Sequence, residues 1–184
     1  PDDPLVNFHA AKVYIEIGVQ NLDKNKQDEA FDSFKKSNFQ ANKAIATYPD
    51  QLNNIYQRIF PFGYLYELHH EVGINNYEMA WYWRGYKKNK RSKAKTYFDA
   101  AINSFTRAIS LAPKQKQTDQ LFEEYNLEYL MVADIHYWRG NTYSDYLKGN
   151  ASWKNACPDY KISKEAVNSE FYKESQKWHR QDCF

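Results

Sequence analysis

The chain has 184 residues but only 6 glycines and 6 prolines. An all-β domain of that length would need many tight turns, which draw on both residue types. That class is therefore excluded. Cysteine is nearly absent too. Cys157 and Cys183 form no CxxC pair and have no zinc-ligand spacing. Two readings stay open, a free pair or a disulfide across the stretch between them. The second would point to an oxidising compartment. No apolar run approaches the roughly 18 residues of a membrane span, so no span is expected. An excess of one charge is also missing. Lys and Arg number 25 against 23 Asp and Glu, a net charge of +2, which gives no global pull toward nucleic acid or a membrane surface. No P-loop and no GxGxxG occurs, so no nucleotide cofactor is expected, nor any other.

What is present is aromatic and helical. Aromatics make up 17% of the residues, and 16 of them are tyrosine. In QDEAFDSFKKSNFQANKAIATYPD, Ala30, Phe31, Phe34, Ala41, Ala44 and Ile45 recur at three and four. Asp28 and Glu29 stand where a helix start favours acids, and Pro49 is expected to end the segment. KAKTYFDAAINSFTRAISLAPK repeats the design, with Ala101, Ile102, Phe105, Ala108 and Ile109 as the stripe and Pro113 as the stop. NACPDYKISKEAVNSEFYKESQKW is a third version, in which Pro158 is expected in a first turn. DQLNNIYQRIFPFGYLYELHHEVGINN predicts one broken helix or two short ones, interrupted near Pro61 and Gly63. KQKQTDQLFEEYNLEYLMVADIHYWRG predicts one long helix up to Gly140.

The four residues YWRG occur twice, as Tyr82–Gly85 and Tyr137–Gly140. Three segments share a large ring, two residues, a longer side chain and a glycine: Tyr14-x-x-Ile17-Gly18, Trp81-x-x-Arg84-Gly85 and His136-x-x-Arg139-Gly140. Each precedes an Ala-x-x-x-aromatic segment: Ala30 to Phe34, Ala101 to Phe105 and Ala156 to Tyr160. This pattern resembles the tetratricopeptide repeat, a helical hairpin in which glycine and alanine let two helices approach closely. The resemblance covers about 130 residues, with departures from the 34-residue unit. The glycine-to-alanine interval is longer in the second and third repeats, the second helix of the first repeat is longer, and the third lacks its final proline.

The resemblance implies an all-α, antiparallel helix-hairpin solenoid, a superhelix of about 7–8 helices in one domain over residues 1–184. Hairpins are expected at about 8–49, 77–113 and 118–178, with an extra helical segment at about 51–72. Gly85 and Gly140 are expected at helix crossings. The resemblance also implies binding of another protein or peptide in a concave groove. The groove-facing slots would be Ile15 and Val19, Tyr82 and Tyr86, and Tyr137 and Asn141, unless flanking helices cover the tyrosines as core. Ile15, Tyr82 and Tyr137 replace the lysine of the chaperone-binding clamp, which disfavours a chaperone's acidic C-terminus as the ligand.

Chemical candidates are few. His69-His70-Glu71 looks metal-like, but adjacent histidines point about 100° apart on a helix and no HExxH occurs, so no metal is expected. Cys157 with His179 has no glycine-rich elbow and no evident orienting partner. No catalytic residue is assigned, and an enzyme is not expected. The run Lys87, Lys88, Lys90 and Arg91, continuing to Lys93 and Lys95, falls at a turn. It is either a solvated loop or a basic edge for an acidic partner. Asn150-Ala151-Ser152 matches the common glycosylation sequon.

The expected function is therefore a non-enzymatic adaptor that binds protein or peptide through a tyrosine-rich surface, with self-association as a further option. The alternative is a periplasmic transport-accessory or small-ligand-binding protein with an aromatic-lined pocket. The start at Pro1 implies a removed leading segment or a piece of a longer protein. With the cysteines, it tilts the expectation toward an exported bacterial protein, lipid-anchored in one version.

Overall fold

A computed structural model describes residues 3–51, 65–87, 90–112, 132–147, 150–166 and 169–183. Every regular element among them is helical, and no strand occurs among the described residues. The elements are α1 (Pro4–Asp23), α2 (Gln27–Gln51), α3 (Leu65–Trp81) continued by a π-helical turn (Tyr82–Tyr86), α4 (Arg91–Leu111), α5 (Val132–Tyr146), α6 (Asn150–Ser163) and α7 (Tyr172–Asp182). The chain is all-α, as expected. The sequence reading has one continuous domain. By its contacts, the chain groups into two compact units, Pro1–Ala108 and Ile109–Phe184, described separately below. Residues 52–64 and 118–131, where helix was also expected, lie outside the described residues.

In the first unit, α1 opens with Asp3 as its cap. Asp3 Oδ1 accepts from the Leu5 amide at 2.8 Å, and Pro4 sits in the first turn, where its missing donor costs little. The helix closes at Lys24 and Asn25. Asn25 has φ 57°, a left-handed conformation that asparagine tolerates better than most residues. The chain then turns straight into α2, whose first turn carries Asp28 and Glu29. Pro49 does not stop α2, which runs on to Gln51.

The packing of α1 on α2 is close because Gly18 has no side chain. A Cβ there would stand 2.6 Å from the buried Phe34 ring. Ser37 Oγ donates to the Ala11 carbonyl at 2.9 Å across the same contact. Phe8, Ala11, Ala41, Ala44, Leu68 and Val72 form one core cluster that brings in α3. Burying a ring such as Phe8 contributes about 2–3 kcal/mol. Asn75, fully buried on α3, donates from Nδ2 to Ser37 Oγ at 2.8 Å.

The second crossing corrects the sequence reading. A Cβ on Gly73 would stand 2.5 Å from the fully buried Phe105 ring of α4. A Cβ on Gly85 would meet nothing within 4 Å. Gly73, not Gly85, therefore faces the Ala101–Phe105 stripe. Asn75 and Asn76 lie inside this helix, so the end of the expected extra segment (about 51–72) and the start of the second hairpin (from about 77) belong to one helix, α3. Asn76 helps to hold it by donating from Nδ2 to the Val72 carbonyl at 2.8 Å.

In the second unit, α5 packs on α6. A Cβ on Gly140 would lie 2.9 Å from the Tyr160 ring, so this glycine does sit at a crossing. Tyr137, Ala156 and Tyr160 are the core, with Trp138, Tyr143, Phe171 and Trp178 against them. Pro158 is not in a first turn but inside α6. A proline there removes one helical hydrogen bond and crowds the preceding turn, at a cost of about 3 kcal/mol. Its neighbours offset this. Asp159 ties α6 to α5, and Cys157 is bridged to Cys183 beyond α7, with Cα atoms 5.6 Å apart. Of the two cysteine readings, the disulfide is the one the structure holds.

Candidate functional site: an aromatic cleft at the YWRGY turn

The last turn of α3 widens at Tyr82-Trp83-Arg84-Gly85-Tyr86. The Lys87 amide reaches back five residues to the Tyr82 carbonyl at 3.0 Å. Such π turns insert an extra residue into the helical register and recur at functional sites. Here the turn sets a cluster of rings against the start of α2. Tyr82 stacks on Phe31 with centroids 4.3 Å apart, and Trp83 meets Tyr82 edge-on at 5.2 Å. Tyr86 lies 5.6 Å from Tyr82 and is 50% exposed.

Between these rings is a cleft of about 240 Å³. Phe31, Trp81, Tyr82 and Tyr86 line its sides, with Ala30 and Phe34 from the hairpin core and the Glu78 side chain from α3. Gly85 also lines it, and the empty space around a hypothetical Cβ there is part of the opening. Trp81 is 36% exposed and steadied by an edge contact with Phe98 of α4.

The rim is polar and well tied. The Tyr82 hydroxyl donates to Asp28 Oδ1, and Lys87 Nζ stands 2.9 Å from the same oxygen. The Tyr82 and Lys87 hydrogen bonds hold the Asp28 carboxyl below its usual range. Burial, then the Asp28 hydrogen bond, pushes the Tyr82 phenol up. The Asp28 hydrogen bond also raises Lys87, so the phenol and the ammonium both keep their protons at neutral pH. Cations from the chain lie over the rings: Lys87 is 4.8 Å from the Tyr86 centroid, Arg84 4.9 Å from Trp81 and Lys93 4.2 Å from Trp83. Lys90 and Arg91 follow, both exposed. Lys88 lies outside the described residues. The cleft can thus hold an apolar group against aromatic walls beneath a mainly basic edge.

The expected site residues scatter. Tyr82 and Tyr86 are in the cleft. Ile15 is half-buried and Val19 exposed on α1, and neither lines it. Tyr137 and Asn141 belong to the second unit. Tyr137 is 7% exposed and stacks on Phe171 at 4.4 Å, so its ring is covered. Asn141 Oδ1 accepts from the Tyr160 hydroxyl at 2.7 Å. Phe31, Trp81 and Asp28 were missed as site residues. The available signal was Trp81, Tyr82, Gly85 and Tyr86 at i, i+1, i+4 and i+5, which is one face of a helix.

Other polar clusters serve the fold. Glu67 is buried and pairs with Lys12 at 3.6 Å. Burial raises its carboxyl, and Lys12 opposes the rise. Burial pushes Glu71 up to about 7 and drops His70 to about 3, so His70 is neutral in the folded protein. The His70 ring lies 5.8 Å from Phe105. Among the described residues, no three His, Cys, Asp or Glu side chains converge as metal ligands. In the second unit, Asp159 Oδ1 takes His136 Nδ1 at 2.6 Å and Arg139 Nη2 at 2.8 Å, and its Oδ2 takes Arg139 Nε at 2.8 Å. Both oxygens are committed to holding α5 on α6. Cys157 is a disulfide sulfur and so no thiolate, while His179 Nδ1 lies 3.1 Å from Lys164 Nζ. Against known proteins, the chain matches no family model, and no curated protein or solved structure is similar to it.

Proposed function

We propose that the chain is a non-enzymatic binding module for a segment of another protein, and that the cleft at the YWRGY turn is its site. The observation that carries the reading is the half-open aromatic cleft beside Gly85. Its volume of about 240 Å³ falls below the roughly 300–1,000 Å³ of pockets that enclose a whole small ligand. It suits one large apolar side chain presented by a longer segment. The aromatic walls are already overlaid by Arg84 and Lys87, so a cationic ligand would meet like charge. An anchor with acidic neighbours would meet Lys87 over the Tyr82 and Tyr86 rings, which favours encounter and orientation. The resemblance to peptide-binding helical hairpins supports the same reading. Of its groove slots, Tyr82 and Tyr86 carry it and Tyr137 does not. The Cys157–Cys183 bridge supports work in an oxidising compartment.

The test is calorimetry with a blocked peptide in which one phenylalanine sits among aspartates and glutamates. A Cβ on Gly85 meets nothing within 4 Å, so Gly85→Leu should extend into the opening and weaken binding at least tenfold with an unchanged helical spectrum, in keeping with a central anchor worth about 2 kcal/mol. The phenylalanine-to-alanine peptide should lose as much. Equal binding by the Gly85→Leu protein would place the site elsewhere.

A further inference from the structure

The cleft leaves the opposite side of the first hairpin unexplained. Helix α1 buries Phe8, Ala11 and Gly18 against its neighbours. Yet Val6, Val13 and Ile17 are 52%, 53% and 40% exposed. At 100° per residue these three and the half-buried Ala10 fall within an arc of about 60°, its centre roughly 140° from that of the buried face. They recur at four, three and four, the spacing of a two-helix seam. A helix that is apolar on both faces is one that becomes covered on both. Beside it, Tyr14 of α1 and the 60% exposed Phe39 of α2 share a shallow hollow with Asp32, Lys35, Lys36 and Gln40.

We infer that this face of α1 is a twofold interface with a second copy of the same chain, the two α1 helices packing antiparallel. The stripe is its own complement. Val6 and Ile17 lie equally far on either side of the point between Ala11 and Lys12, and so do Ala10 and Val13. An antiparallel pair centred there sets each Val6 against the partner copy's Ile17 and each Ala10 against its Val13. The small residue faces the branched one, as close packing needs. A twofold axis also brings each flank of the stripe onto itself. On one flank stand His9 and Glu16, both exposed. In this register the Glu16 carboxylate of one copy comes within reach of the His9 imidazole of the other, twice per dimer. Lys12 is drawn off toward Glu67 and the Phe8 ring, and Lys36 of α2 lies over the Tyr14 ring beside the stripe. Antiparallel helix dipoles add a small favourable contribution. A standard stable complex buries about 800 Å² per partner, from some 20–30 residues a side, whereas this seam is carried by four side chains and their flanks on one helix, so a weak dimer is expected.

Sedimentation equilibrium on the whole chain, from about 1 to about 500 μM, should show a monomer–dimer equilibrium with a micromolar dissociation constant. Val13→Glu should raise that constant at least tenfold with an unchanged helical spectrum, because the residue lies on the surface. Glu16→Lys should also weaken the dimer, and adding His9→Glu to it should restore the charge pairing and the affinity. A monomer at every concentration would overturn the proposal and leave the face to a different partner. A dimer indifferent to Val13→Glu would overturn it as well. Failure of His9→Glu to rescue Glu16→Lys would overturn the antiparallel register.

Discussion

Gly73→Ala and Gly85→Ala make a paired experiment on how the first unit is packed. A methyl group on Gly73 would stand 2.5, 2.6 and 2.8 Å from three atoms of the Phe105 ring. Ordinary carbon contacts begin near 3.5 Å, so the ring or the helix must shift by about 1 Å. Phe105 has no exposed surface to move into. Overpacking of this kind costs about 1–3 kcal/mol, and the better helix propensity of alanine returns at most about 1. On Gly85 the same methyl meets nothing within 4 Å, so only the propensity gain remains. The two variants should thus differ by about 2 kcal/mol, or roughly 10 °C in the melting of a unit of this size. Circular dichroism melts and urea titrations of the whole chain measure it, with the Gly73 effect in one transition if the two units unfold separately. Phe105→Leu in the Gly73→Ala background should recover part of the loss, with a coupling of about 0.5 kcal/mol or more. Equal shifts for the two alanines, or a larger loss at Gly85, would refute the assignment of Gly73 to the crossing.

Two further outcomes follow from the structure. The Cys157–Cys183 bridge joins residues 26 apart in sequence, so replacing both cysteines with serine should cost the second unit about 3.5 kcal/mol on the loop-entropy account. Non-reduced protein should weigh two hydrogens less than the open chain, and two free thiols in material made under oxidising conditions would contradict the bridge. His70 and Glu71 should give stability opposite slopes with pH. His70 is held at about 3 against an ordinary 6.5, so its contribution is intact above pH 6.5 and is lost as pH falls toward 3, by about 2 kcal/mol at pH 5. Glu71 is raised from 4.5 to about 7, so its contribution is whole below pH 4.5 and is lost as pH rises through 7. His70→Leu should therefore gain on the parent protein in acid, and Glu71→Gln should gain at pH 8. A gain independent of pH in either variant would exclude the assigned burial.

What the sequence made legible was local, and what it hid depended on distance. The stripes at Ala30–Phe34 and Ala156–Tyr160 predict their helices, and the glycine facing each ring is the expected one, Gly18 and Gly140. The middle crossing misled because the pattern fixes residue types but not the length of helix beyond the contact. Gly73 and Gly85 both precede Ala101, and the second YWRG at Tyr137–Gly140 drew the register to the wrong one. Asparagine discourages helix when its side chain competes for the backbone, but Asn75 spends its amide on Ser37, which only the fold brings near. The two YWRG copies are thus one string in two environments, a buried α-helical turn at Gly140 and an open π turn at Gly85. The cleft was hidden for a related reason. Phe31 and Phe34 share one apolar stripe, and periodicity alone cannot tell a ring with a neighbour above it from a ring at an opening. Phe34 is capped by Gly18 on α1. Phe31 instead stacks on Tyr82 where Gly85 has no side chain to close the space, and that difference leaves a cleft on this hairpin where the sequence predicts only core.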